Sequence, residues 1–223
     1  MQRRLLRQKS FAILVLAMIF LLSAFASGED INLECGSLSP GELKKAGATY
    51  SLKSKGILKI AIAVEMKRLP DGERAQCDVR WTVFQESQEQ KRTELFHFSK
   101  RPEEDLAGTD APSTSPDGSK LLVPFWTAEG DYTNHLPAVY DFRTKEFYVR
   151  EIADRITRDL PSCDYFTMVG DIRNSGDVSL YVPKSTYVEE GCPDQGKWLL
   201  HPATNNITRI RKTHAQSPKK SER

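Results

Sequence analysis

The chain has 223 residues, which suits one domain or two small ones. Its formal charge of +2 excludes a nucleic-acid binder held by net charge alone. The hydrophobic share of 39% with 28% charged residues excludes both full disorder and a multispan membrane protein.

The N-terminus has the layout of a secretory signal peptide. Basic residues in the first ten positions precede an unbroken apolar run, Phe11 to Leu22, and small residues follow up to Ala26. We therefore expect residues 1–26 to be a cleaved leader and the protein to be secreted or periplasmic, with no transmembrane span after cleavage. The alternative is an uncleaved N-terminal anchor, although the apolar run is shorter than the roughly 20 residues of a spanning helix. Cleavage would change the formal charge from +2 to −2, because four basic residues leave and no acidic one does.

The cysteines favour an oxidising compartment. An even number of cysteines follows the predicted leader, and no pair of them has CxxC spacing. They are Cys35, Cys77, Cys163 and Cys192. With only four histidines and no metal-binding motif, the sequence predicts no metal or other cofactor. Four cysteines allow three pairings. We expect Cys35–Cys77 and Cys163–Cys192, because each pair lies within its own half of the chain.

Two short helices are expected among strands. A capping-box pattern at Ser39–Glu42 and a closing glycine predict a helix over residues 37–47, and apolar spacing predicts a second over 152–160. From Gly56 the pattern alternates with period two, which predicts strands over 56–64, 77–85 and 94–99. The polar stretch 100–115 has no periodicity and predicts a long surface loop.

Two later segments resemble each other in sequence. Leu121–Pro124 matches Leu180–Pro183 at an offset of 59, and Thr144 matches Thr204 at an offset of 60. Near-constant offsets favour repeated units over 119–152 and 178–210, with 56–99 as a diverged third copy. Chance similarity between β-rich segments is the alternative.

One of these segments resembles a known kind of repeat. The sequence SPDGSKLLV at 115–123, followed by AVYDFRTKEF at 138–147, is similar to one blade of a TolB-like bacterial β-propeller. The resemblance covers 115–152 and implies protein or ligand binding at loops, without any particular chemistry. Because the repeat offset exceeds the roughly 40–50 residues of a usual blade, an open partial propeller or a β-sandwich is expected. We therefore predict a mainly β, antiparallel domain over 27–210, followed by a disordered basic tail over 211–223.

The candidate binding residues lie in two inserts that follow Val-Pro dipeptides. Pro124 and Pro183 lack a backbone donor, so we expect both to end strand pairing and release loops on one rim, at 125–136 and 184–196. Aromatic and acidic side chains in these loops suit a polar partner. The candidates are Trp126, Glu129, Asp131, Tyr132, His135, Tyr187, Glu189 and Glu190.

These residues favour an exported, non-catalytic binding module for an unknown protein or envelope component. The alternative is a secreted hydrolase that uses scattered carboxylates such as Glu129, Asp131 and Asp171.

Overall fold

The computed structural model describes residues 31–52, 55–68, 75–87, 89–101, 106–129, 132–152, 168–182 and 195–210. Within these ranges the regular structure consists of strands alone, and no helix there is long and apolar enough to span a membrane. The strands are β1 (Ile31–Glu34), β2 (Leu43–Leu52), β3 (Gly56–Arg68), β4 (Ala75–Glu86), β5 (Arg92–Lys100), β6 (Leu106–Thr109), β7 (Ser113–Thr114), β8 (Lys120–Glu129), β9 (Tyr132–Asp141), β10 (Phe147–Val149), β11 (Met168–Ile172), β12 (Val178–Val182), β13 (Gly196–His201) and β14 (Asn206–Arg209).

The strands form three antiparallel sheets, which confirms the mainly β prediction. The N-terminal sheet has the order β2-β3-β4-β5, and the C-terminal sheet has the order β11-β12-β13-β14. The central sheet has the order β1-β6-β8-β9-β10, and β7 also pairs with β8. β1 and β6 are therefore neighbours in the central sheet, although all four strands of the N-terminal sheet lie between them in the sequence.

A first core joins the N-terminal and central sheets. The alternate residues Leu58, Ile60, Ile62 and Val64 of β3 are at most 1% exposed. They share a cluster with apolar side chains of β8 and β9 in the central sheet. Period-two alternation in β3 thus places one face in this core and leaves the other toward solvent.

A second core joins the central and C-terminal sheets. Leu122 and Val139 of the central sheet cluster with Leu180, Val182 and Leu200 of the C-terminal sheet. Leu121 and Leu122 are adjacent and point to opposite faces, yet both are at most 1% exposed. The central sheet is therefore buried on both faces.

The predicted Cys35–Cys77 disulfide is confirmed, with the two Cα atoms 6.0 Å apart. Cys35 directly follows β1 and Cys77 lies in β4, so the bond ties the central sheet to the N-terminal sheet. Bonds of this kind persist in oxidising compartments. The predicted Cys163–Cys192 bond lies outside the described residues.

The predicted helix over 37–47 is wrong. Ser39 N does donate to Glu42 Oε2 at 3.1 Å, and Glu42 N donates to Ser39 O at 2.9 Å, so the capping pattern forms a single turn. The chain then enters β2, whose residues from Leu43 to Leu52 all pair with β3. A full strand ladder gives more hydrogen bonds than the first turn of an isolated helix, whose nucleation is unfavourable. The second predicted helix, over 152–160, lies outside the described residues beyond Ile152.

The expected surface loop over 100–115 is also wrong where the structure describes it. β6 and β7 lie in line along one edge of β8, and Thr109 is fully buried. The Thr109 hydroxyl donates to the Pro124 carbonyl at 3.2 Å, which satisfies the buried polar side chain. Strands of two to four residues are too short to show the apolar alternation that sequence patterns detect.

The expected end of strand pairing at Pro124 is wrong. Pro124 lies in the middle of β8, directly opposite Pro137 in β9. The Pro124 carbonyl accepts from Asp110 N at 3.0 Å, and the Pro137 carbonyl accepts from Arg150 N at 3.2 Å. Both carbonyls therefore point away from the shared ladder, so the missing N–H groups remove no hydrogen bond between β8 and β9. Pro183, the matching position, lies outside the described residues.

The two segments proposed as repeats have the same strand order. β8-β9-β10 and β12-β13-β14 are both antiparallel meanders. Their registers differ, because Leu121 lies opposite Tyr140 whereas Leu180 lies opposite Trp198. The repeat and its likeness to a propeller blade stay predictions.

Candidate functional site

Two sequence-predicted site residues, Trp126 and His135, are neighbours in the central sheet. They lie opposite each other in β8 and β9, so their side chains share a face. The Trp126 ring lies against Gly108, where an added Cβ would be 2.2 Å from the ring, and its Nε1 donates to Asp110 Oδ1 at 3.1 Å. Burial lowers the pKa of His135. Trp126 is thus held inside the sheet by a close backbone contact and a hydrogen bond.

The remaining six predicted residues stay untested as a site, because none of their side chains is described. Residues 125–136 form the β8–β9 hairpin, with Glu129 opposite Tyr132 at its end, so this segment is not an insert loop. The side chains of Glu129 and Tyr132 lie outside the described structure, as do the following residues: Asp131, Tyr187, Glu189 and Glu190.

The carboxylates of the hydrolase hypothesis gain no support. Asp171 is exposed on β11, and the side chains of its two suggested partners lie outside the described structure. Three described carboxyl groups have shifted pKa values, and each shift is downward, whereas a glycosidase acid needs a raised pKa. Hydrogen bonds lower the pKa of Asp117 to about 2 and also lower that of Asp141. At Glu151 burial is the largest single effect and raises the pKa, but hydrogen bonds from Lys100 and Asn134 together with the charge of Lys100 outweigh it. The described residues also bring no three His, Cys, Asp or Glu side chains together as a metal site.

An acid–histidine–hydroxyl chain lies in the C-terminal sheet. His201 Nδ1 is 2.8 Å from Asp177 Oδ1, and His201 Nε2 is 3.0 Å from Thr208 Oγ1. This order matches the arrangement of an activated nucleophile. The adjoining cavity of about 290 Å³ is lined by Asp177 and His201 but not by Thr208. The Thr208 hydroxyl lines no described cavity. We therefore interpret these two hydrogen bonds as a structural link between the turn before β12 and the β13–β14 hairpin.

The outer face of the N-terminal sheet carries the larger groove. It has a volume of about 720 Å³ and includes Ala61, Ala63 and Thr82 among its lining residues. These small side chains alternate along β3 and β4 with the buried residues of the first core. A sheet face with small residues at its centre and long ones around them forms a depression.

The groove is surrounded mainly by cationic side chains. Two acidic side chains, Glu65 and Asp78, line it, against these six cationic ones: Lys45, Lys67, Arg80, Arg92, Lys100 and Arg101. The groove therefore carries a clear excess of positive charge.

Ion pairs neutralise only part of this charge. Lys67 Nζ lies 2.6 Å from Asp78 Oδ2, and this hydrogen bond raises the pKa of Lys67. Arg101 Nε lies 3.0 Å from Asp78 Oδ1. Among the described residues, Lys45 and Arg80 have no carboxylate partner. These two groups are available to a negatively charged ligand.

One wall of the groove is aromatic. The Arg92 guanidinium lies 3.6 Å from the centre of the Phe84 ring, which gives a flat stacked surface. The sequence places Lys59, Ala61 and Ala63 on the outer face of β3, and this period-two pattern is the signal that could have found the groove. The positions of Lys45 and Arg80 beside them follow from strand register, which local patterns do not determine.

Comparison with known proteins gives no family to which the chain can be assigned. No protein-family model, curated protein or solved structure matches it.

Proposed function

We propose that the chain is an exported, non-catalytic binding module that holds an anionic partner on the outer face of its N-terminal sheet. The observation that carries this proposal is the groove of about 720 Å³ with six cationic and two acidic side chains in its lining. Lys45 and Arg80 flank Ala63 in one row across three strands. The two charges are thus held by a rigid scaffold on either side of a small residue.

Two features support an extracellular or periplasmic location. The first 26 residues have the composition of a cleaved leader. The Cys35–Cys77 disulfide is a bond that reducing compartments do not maintain. Loss of the leader makes the whole chain slightly acidic, so the positive groove is a local feature against an acidic background.

Charge reversal tests the proposal. In the oxidised chain without its leader, Lys45→Glu with Arg80→Glu should weaken binding of polyglutamate and polygalacturonate by about tenfold or more, because like charges then face the polymer. Isothermal titration calorimetry at low ionic strength measures both affinities. Added salt should weaken the unaltered protein's binding, since exposed charges are screened.

A matched control separates the groove from total charge. Lys44→Glu with Lys197→Glu makes the same change in net charge, on the opposite side of β2 and on the C-terminal sheet. This control should keep the affinity of the unaltered protein. Absence of binding to both polymers, or equal losses in the two double variants, would overturn the proposal.

A further inference from the structure

A trough with short side chains on β2, β3 and β4 crosses the N-terminal sheet and ends at His97 on β5. Strand register places Gly47, Ala61, Thr82 and His97 side by side, one from each of β2 to β5. Gly47 has no side chain and Ala61 has a single methyl group. The low line across the sheet therefore runs perpendicular to the strands.

Rows with cationic groups lie on both sides of the trough. One row contains Lys45 and Arg80. The other contains Lys59, which is paired with Glu86, and Phe84, over which Arg92 is stacked and which lies opposite Glu94. Each row is two residues from the trough along the strands, so the backbones of the two rows are about 13 Å apart. A polymer that follows the trough would therefore meet the excess of positive charge along the side of Lys45 and Arg80.

The charged row also sets a spacing along the trough. Lys45 and Arg80 are two strands apart, which corresponds to about 10 Å at the backbone. This is close to the length of a disaccharide unit, so two anionic groups one disaccharide apart can meet both cations.

The chemistry of the face favours a sugar over a peptide. An extended peptide binds a sheet mainly through backbone hydrogen bonds at an edge strand. In this trough the backbone groups of β3 and β4 are already paired with neighbouring strands, so a ligand meets side chains alone. Thr82 and Ser99 offer hydroxyl groups, and the stacked pair of Phe84 and Arg92 offers a flat surface to the C–H face of a sugar ring.

Resting on the proposed function, we infer that the anionic partner is a linear acidic polysaccharide that lies along the trough across the strands. Its carboxylate or sulfate groups meet Lys45 and Arg80, and its rings pass over Ala61. The site therefore recognises both negative charge and the narrow, flat shape of a sugar chain.

Filling the trough without changing its charge tests the inference. Ala61→Phe should weaken binding of polygalacturonate or of heparin by about tenfold or more, because the new ring occupies the space of the sugar chain. Thr82→Phe fills the same row from the next strand and provides a second variant if the first fails to fold. Ile57→Phe adds bulk to the same outer face, four residues along β3, and should leave the affinity unchanged.

Polyglutamate with the same number of carboxylates as the polygalacturonate serves as the comparison polymer. The affinity for at least one of the two polysaccharides should be about tenfold higher than the affinity for polyglutamate. The melting temperature of each variant verifies that it is folded. Equal affinity for polyglutamate would identify an acidic peptide as the partner and overturn the inference, while the proposed function would survive. Unchanged polysaccharide binding in both trough-filling variants would also overturn it.

Discussion

β3 in the N-terminal sheet and β8 in the central sheet differ in how many of their faces are covered. β3 alternates between buried aliphatic residues and partly exposed small or charged ones. β8 instead has a continuous apolar run from Leu121 to Phe125, all buried. Alternation marks a strand with one face in solvent, and a continuous run marks a strand between two layers. The described strands therefore leave the outer face of β3 uncovered, whereas both faces of β8 are covered by packing.

The largest expected loss of stability comes from shortening buried side chains on β8. Leu121→Ala and Leu122→Ala should each lower the free energy of unfolding by about 2–5 kcal/mol, because each residue fills a separate core. On β3, Ile62→Ala should have an effect of the same size, and Ala61→Ser should stay within about 0.5 kcal/mol. Urea unfolding measures all four. A neutral Leu122→Ala would show that the second face of the central sheet is not covered.

The disulfide should give the next largest effect, because it joins the two sheets being compared. Replacing Cys35 and Cys77 together by Ala should lower the free energy of unfolding by about 2–4 kcal/mol, through greater freedom of the unfolded chain. The groove should keep its affinity below the melting temperature, since neither cysteine lines it. Unaltered stability would show that the bond does not stabilise the protein by constraining the unfolded chain.

The smallest expected effect concerns the turn that links the central sheet to the C-terminal sheet. Asp117 N donates to Asn174 Oδ1 at 3.0 Å, and hydrogen bonds from Ser115 and Ser119 lower the pKa of Asp117 from 3.8 to about 2. Because the folded state has the lower pKa, the carboxylate stabilises the protein above about pH 3.8, and this contribution is lost as the pH falls through about 2. Asp117→Asn should flatten the stability profile in this interval, measured by urea unfolding between these pH values. A profile identical to that of the unaltered protein would contradict the assignment.

Sequence patterns could predict the strands in which buried and exposed residues alternate. Alternation located β3 and β4. The pairing of Cys35 with Cys77 followed from their positions in the chain. The alternation of the strands depends on neighbours in sequence, where local physical preferences act directly.

The features that sequence patterns missed depend on contacts between distant residues. The turn at Ser39–Glu42 has the local signature of a helix start, but pairing of Leu43 with Glu65 determines the strand that follows. Pro124 is tolerated in mid-strand because its missing N–H faces away from β9, which depends on the register of the two strands. The trough likewise requires Gly47 and Thr82 to flank Ala61, which only the register of three strands fixes.

The Cys35–Cys77 bond also bears on the order in which the protein is made. These are the first two cysteines of the sequence and are separated by 42 residues. A chain synthesised from its N-terminus exposes both before Cys163 or Cys192 exists, so oxidation at that stage has only one possible outcome. The native bond can then form without the slow reshuffling that mispaired thiols require. β6 follows Cys77 in the sequence and pairs with β1, so early formation of the bond would close much of the segment between these two strands before β6 is made.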